Sequence, residues 1–102
     1  MYRARDEVAN EAWLDDLERA ADGLDLGSGT RSRAVDLFLS NLPDDDRSKP
    51  AVIAASLYVA GLAEGDRRSQ GAVAEEVGVA RLTIQQRWKP ILEDAGLDAP
   101  TW

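Results

Sequence analysis

The sequence predicts an all-α domain of five helices, and three observations predict it. Glycine and proline divide the 102 residues into five segments with apolar residues at helical spacing, and no segment keeps the period-two alternation of a strand. The third segment, Ala51 to Ala63, contains no charged residue. A helix that is apolar all round must be surrounded by the others, which makes this the expected centre of the core. The last two segments read as helix, tight turn and helix.

The first helix is expected from about Asp6 to Asp22, carrying Val8, Ala12, Trp13, Leu17, Ala20 and Ala21, with Gly23 ending it. Gly27-Ser28-Gly29 reads as a flexible link, after which Thr30 is placed to cap the second helix by accepting a backbone N–H. Ala34, Phe38 and Leu42 line that helix until Pro43 stops it. Asp44-Asp45-Asp46-Arg47-Ser48 is a polar loop, and Pro50 suits the first turn of the third helix, where its missing N–H is not needed. In that helix Ala54, Ala55, Ser56, Ala60 and Gly61 permit close neighbours, while Ile53, Leu57, Tyr58 and Leu62 fill the gaps. Gly65 closes it and Ser69 caps the fourth helix. Gly78, which takes a positive φ without strain, turns the chain into the fifth. Pro90 is expected to end or kink the fifth helix near Trp88, and Gly96 to Trp102 to form a loosely held tail from which Trp102 can fold back.

Residues 1–102 suit one domain with one core. The absence of cysteine excludes disulfides and thiolate metal sites, and the absence of histidine removes the commonest base and metal ligand. No nucleophile, base and orienting group come together at a recognisable spacing, so neither an enzyme nor a cofactor is expected. Asp44, Asp45 and Asp46 are the best Mg²⁺ candidates, with Asp15, Asp16 and Glu18 next. Successive carboxylates in a loop do not converge on an ion, and a solvated surface is the better reading of both groups. The N-terminus has no apolar run and no window reaches the ~18 apolar residues of a membrane span, so a soluble, cytoplasmic protein is expected.

The net charge of −7 argues against a nucleic-acid partner until its distribution is considered. From Arg67 to Leu92 the net charge is +3, while the rest of the chain carries −10. A basic C-terminal third on an acidic body suggests a binding face. The chain has two lysines against ten arginines and twelve aspartates against seven glutamates. That bias matches proteins of salt-accumulating archaea, and a halophilic archaeal source would explain the global acidity as an adaptation to solvent.

The helix pair spans about 69–89. Val73, Ala74 and Val77 share one face of its first helix, Gly78 and Val79 make the turn, and Leu82, Thr83 and Ile84 open the second. Small Ala74 allows close approach, with Ile84 as the matching plug. This is the helix-turn-helix arrangement that lays a helix in the DNA major groove. The chain resembles the second cyclin-like repeat of archaeal transcription factor B and eukaryotic transcription factor IIB. Ser69-Gln70, Val73-Ala74, Gly78-Val79, Leu82-Thr83-Ile84-Gln85 and Arg87-Trp88-Lys89 follow the pattern typical of its last two helices. Lys49 to Gly61 looks like the family's central helix, and Arg31 to Phe38 fits the helix before it. The resemblance covers roughly Ser28 to Leu92 and implies a cyclin-like fold, a central helix packed by four others, acting in transcription.

With the fifth helix pinned inward by Ile84 and by Leu82 or Trp88, the outward positions near its start are Ala80, Arg81, Gln85 and Gln86. Arg81, Gln85 and Gln86 are expected to face bases: glutamine can pair with adenine and arginine with guanine or phosphate, while Ala80 can touch a thymine methyl. Arg67, Arg68, Arg87 and Lys89 are expected to face phosphates. Trp13, Tyr58 and Trp88 could stack on bases, but their helical spacing favours packing. In the family, a valine and an arginine that read the promoter stand where this chain has Leu82 and Gln85, so the target sequence does not carry over. The family's zinc ribbon and first repeat are expected to be missing, and a lone repeat is not expected to replace the full initiation factor. The rival expectation is a protein-interaction module that docks on TATA-binding protein or RNA polymerase components without touching DNA.

Overall fold

A computed structural model describes residues 9–97. The described residues form five α-helices and no strand: α1 (Glu11–Gly23), α2 (Ser28–Ser40), α3 (Lys49–Glu64), α4 (Gln70–Val77) and α5 (Arg81–Asp94), with one 3-10 turn over Asp46–Ser48. The all-α, five-helix expectation holds. The central position of the uncharged segment holds as well, since every residue from Ala51 to Gly61 is buried and α3 packs against each of the other four helices. Leu17 from α1, Phe38 from α2, Ile53 and Leu57 from α3, Val73 from α4, and Ile84 and Leu92 from α5 are enclosed together. Each large aliphatic residue so buried contributes roughly 1.5–3 kcal/mol.

Small residues set the closest approaches. A Cβ added at Gly61 would lie 2.9 Å from the Asp66 carbonyl oxygen, so the chain leaving α3 folds back against a position where only glycine fits without displacement. At Gly78 (φ +88°) the left-handed backbone lets the Gly78 and Val79 N–H groups both donate to the Ala74 carbonyl, at 2.8 and 3.0 Å. That turn reverses the chain between α4 and α5 in three residues.

Several boundaries differ from expectation for identifiable reasons. The expected flexible link is already helical, since α2 begins at Ser28, and Thr30 does not cap it. Thr30 is buried and its hydroxyl donates to the Asp66 carboxylate (3.0 Å), which also accepts the Gly27 N–H (2.9 Å). The cap of α2 therefore comes from the α3–α4 connection, beyond the reach of a local rule. Pro90 does not end the last helix: α5 continues through it to Asp94. The carbonyl that loses its helical donor belongs to Gln86, which is solvent-exposed like Pro90, while Ile91 and Leu92 beyond it are buried and hold the last turn. The expected start of α1 at Asp6, with Val8, lies outside the described residues. Ala12 faces solvent and Leu14 packs on the core. Leu97, placed in the tail by sequence, also packs on the core, and its N–H donates to Leu92 at 3.1 Å. Asp98 to Trp102, including the expected fold-back of Trp102, lie outside the described residues.

Candidate nucleic-acid interface

The helix pair is built from its two starts. Ser69, in extended backbone conformation, accepts the Ala72 N–H on its hydroxyl at 3.0 Å and so begins α4 as expected. Val73 and Ala74 then turn inward, α4 stops at Gly78, and α5 starts at Arg81. Ile84, Trp88, Ile91 and Leu92 are the buried face of α5. Of the two candidates to pin the helix beside Ile84, it is Trp88 that does so, its ring meeting Tyr58 edge-on at 5.7 Å. Trp88 and Tyr58 are 7% and 4% exposed, so they pack edge to face in the core and do not stack on bases. Leu82 lies about 200° round the helix from Ile84 and is 60% exposed, the exposed large apolar side chain of the described residues.

The expected site residues fall into three groups. Arg67, Arg81 and Gln85 share a cleft of about 400 Å³ between the start of α4 and the flank of α5, with Ser69, Gln70 and Trp88 on its walls. Gln86 and Arg87 stand on the opposite flank, where Asn41, Pro90 and Ile91 join them around a second hollow of about 460 Å³. Lys89 is exposed and carries its ammonium 5.8 Å from the Trp88 ring centroid.

Arg68 does not join the expected phosphate-facing set. Its Nε donates to the Leu24 carbonyl (2.9 Å), one terminal nitrogen to the Asp25 carbonyl (3.1 Å) and the other to the Asp66 carboxylate (2.9 Å). Those bonds tie the α3–α4 connection to the α1–α2 connection, and a guanidinium committed to three acceptors has little left for a phosphate. Asp66, not singled out in the sequence, is the hub: hydrogen bonds from the Gly27 N–H and the Thr30 hydroxyl, with Arg68 adding, hold its carboxyl below the usual range.

Arg87 has an acidic neighbour. Hydrogen bonds from Ser48 hold the Asp45 carboxyl below its ordinary value, and the positive charge of Arg87 lowers it further. Asp45 caps the 3-10 turn by accepting the Ser48 N–H at 2.8 Å. No group of three His, Cys, Asp or Glu side chains converges among the described residues, the Asp44–Asp46 loop included. No helix among them is long and apolar enough to cross a membrane.

Two features of the interface were not anticipated. The outward face of Leu82 could have been read from the sequence, because Ile84, Trp88 and Ile91 at spacings of four and three fix the buried side. The gathering of Arg67 and Arg81 at one helix start could not, since it depends on how α4 packs on α5.

A family model described as "Transcription factor TFIIB repeat" matches residues 11–94. The chain belongs to that family. The match runs from the first residue of α1 to the last of α5, so all five helices make up one TFIIB repeat. Among curated proteins, the transcription initiation factor IIB of Pyrococcus abyssi is 33% identical over 89 residues, covering 84% of this chain and 30% of the relative. Transcription initiation factor IIB 1 of Thermococcus kodakarensis is likewise 33% identical over 89 residues, again 84% of this chain and 30% of the relative. Transcription initiation factor IIB 1 of Thermoplasma volcanium is 36% identical over 87 residues, 82% of this chain and 28% of the relative. The chain thus spans under a third of the length of these relatives. Its relatives are transcription initiation factors.

Proposed function

We propose that this TFIIB repeat binds double-stranded DNA by laying α5 in the major groove. One observation carries the reading: α5 is anchored by Ile84, Trp88, Ile91 and Leu92, and its first three turns offer Arg81, Leu82, Gln85, Gln86 and Lys89 to solvent beside Arg67. A helix held by one face with amides and cations on the other suits groove docking. Gln85 and Gln86 are assigned to base edges, where a glutamine can pair with adenine, and Leu82 to a thymine methyl. Arg67 and Lys89 are assigned to the sugar–phosphate backbone. Arg81 lines the same cleft as Arg67, so it is assigned to the backbone as well. Arg68 is left out because of its internal bonds. Arg87 contributes less than Lys89, since the Asp45 carboxylate beside it repels phosphate.

Binding of the full chain to random and selected duplexes across a KCl series tests this. Lys89→Ala is expected to weaken all sequences alike and lower the salt slope by about one unit, whereas Arg87→Ala changes the slope less. Gln85→Ala is expected to cost about 1–3 kcal/mol on the best site and little on others. A folded parent with no affinity for any duplex at moderate salt rejects the proposal. The exposed Leu82 favours a second reading, docking on a protein such as TATA-binding protein or an RNA polymerase component. In that case Leu82→Asp abolishes partner capture while nuclease treatment leaves it intact.

A further inference from the structure

Little of α4's own surface holds it in place. It is eight residues long, and only Val73 and Ala74 within it are buried. The first turn of α5 leans on it, since Ile84 is the first residue of α5 to be buried. A helix with so few buried contacts takes its pose from its two ends. The Gly78 turn fixes one end. The connection Gly65 to Arg68 leads into the other, and it is fastened to each of α1, α2 and α3.

Its hold on α3 is the Asp66 N–H, which returns to the Gly61 carbonyl at 2.9 Å. Its hold on α2 is Oδ2 of Asp66, which accepts both the Gly27 N–H and the Thr30 hydroxyl. Its hold on α1 is Arg68. The last turn of α1 closes with the Leu26 N–H on the Ala21 carbonyl and the Asp25 N–H on the Asp22 carbonyl, and Asp25 takes a φ of +55° where glycine is usual. The Leu24 and Asp25 carbonyls accept from Nε and one terminal nitrogen of Arg68, while its other terminal nitrogen meets Oδ1 of Asp66 at 2.9 Å. The two charges suit the two helix ends: a cation at the carbonyl end of α1, a carboxylate at the N–H end of α2. Arg68 directly precedes Ser69, the cap of α4. A lysine would supply the same charge without the planar fork that reaches three acceptors at once.

We propose that Arg68 is a positioning residue: with Asp66 it clasps the start of α4 to the α1–α2 corner, and so sets the pose of α4 and of the first turns of α5 without itself meeting a ligand. That this pose governs DNA affinity rests on the DNA-binding reading above; the hold of the clasp on the helix pair does not.

Two measurements on the full chain separate these. In the parent, amide residual dipolar couplings of all five helices are expected to fit one alignment frame. In Arg68→Lys the couplings of α4 and of residues 81–85 should leave that frame while α1, α2 and α3 keep it. Asp66→Asn opens the same clasp by another route: its amide oxygen can retain both bonds to α2, but its NH₂ group then faces the guanidinium. Ile53→Val, a core change that lowers Tm by a few degrees, should leave the frame intact. Couplings of α4 that stay in the frame in both clasp variants overturn the proposal.

The second measurement is duplex affinity across a KCl series. Arg68→Lys is expected to weaken the best site by about tenfold, as one mismatched base pair does, with the salt slope of the parent. A phosphate contact would behave otherwise, since lysine keeps the charge and most of the affinity. The double variant Asp66→Asn/Arg68→Lys should lose no more than the worse single one, because both open one clasp. Ile53→Val should bind like the parent, which separates a shifted pose from lowered stability. If α4 leaves the frame and affinity does not fall, or if the parent binds no duplex, the DNA-binding reading of α5 falls while the clasp stands.

Discussion

Gly61 offers a test in which helix propensity and packing act in opposite directions. In an exposed helix interior Gly→Ala stabilises by about 0.8–1.0 kcal/mol. At Gly61 the new methyl would sit 2.9 Å from the Asp66 carbonyl oxygen and 3.4 Å from the Arg67 Cα. The carbonyl must retreat by about half an ångström to reach ordinary contact. It cannot do so freely, because the Asp66 N–H donates to the Gly61 carbonyl at 2.9 Å and the Asp66 carboxylate holds the start of α2. Overpacking of this kind costs about 1–3 kcal/mol; at the middle of that range, about 2 kcal/mol, it outweighs the propensity gain and leaves a net loss of about 1 kcal/mol. For a domain of this size that lowers Tm by roughly 4–8 °C. Gly71→Ala is the control, since its methyl meets nothing nearer than 4.0 Å. It should be neutral or raise Tm by a few degrees. Thermal unfolding followed by far-ultraviolet circular dichroism compares the two. A Gly61→Ala protein that melts at or above the parent would refute the argued contact between α3 and the chain that follows it.

Other expected outcomes bear on the core, the solvent and pH. Leu57→Ala, at a side chain 1% exposed, should cost about 2–5 kcal/mol in denaturant titration, against about 0.5 kcal/mol or less for Asp44→Ala on the exposed loop. Mutual repulsion under a net charge of −7 should raise Tm from dilute buffer to molar KCl; a salt-independent Tm would leave the acidity without this explanation. The Asp66 carboxyl is held below its ordinary value in the folded state. Its contribution is therefore present above the unfolded value, near 4, and is lost as pH falls through the folded one. Asp66→Asn should lower Tm at neutral pH and flatten the fall in Tm on acidification below about pH 4, as read by melting across a pH series.

The parts of the fold that could be read from the sequence are those decided by local pattern. The lack of charge from Ala51 to Ala63 identified the central helix, because an all-apolar helix has one stable environment. Ser69 and Gly78 were found from cap chemistry, which acts over three or four residues. The misreadings came from contacts distant in sequence. Thr30 reads as a cap until Asp66, thirty-six residues on, is brought to the same helix end. Pro90 reads as a stop until the burial of Ile91 and Leu92 is known. Arg68 and Arg67 are chemically identical neighbours, and only the position of the Leu24 and Asp25 carbonyls decides that one is locked into the fold and the other lines a cleft.

The enclosure of α3 also constrains how the chain reaches its native state. Two of its walls, α1 and α2, precede it in the sequence, and the other two, α4 and α5, follow. A nascent chain that has just released α3 from the ribosome can cover only one side of it. The other side, including the surfaces that meet Ile84, Trp88 and Leu92, stays bare until the last helix emerges. Folding is then expected to wait for nearly the whole repeat and to proceed as one event. Cleavage anywhere between Gly65 and Ala80 would expose a greasy, uncharged rod and send the fragment to aggregation or a chaperone.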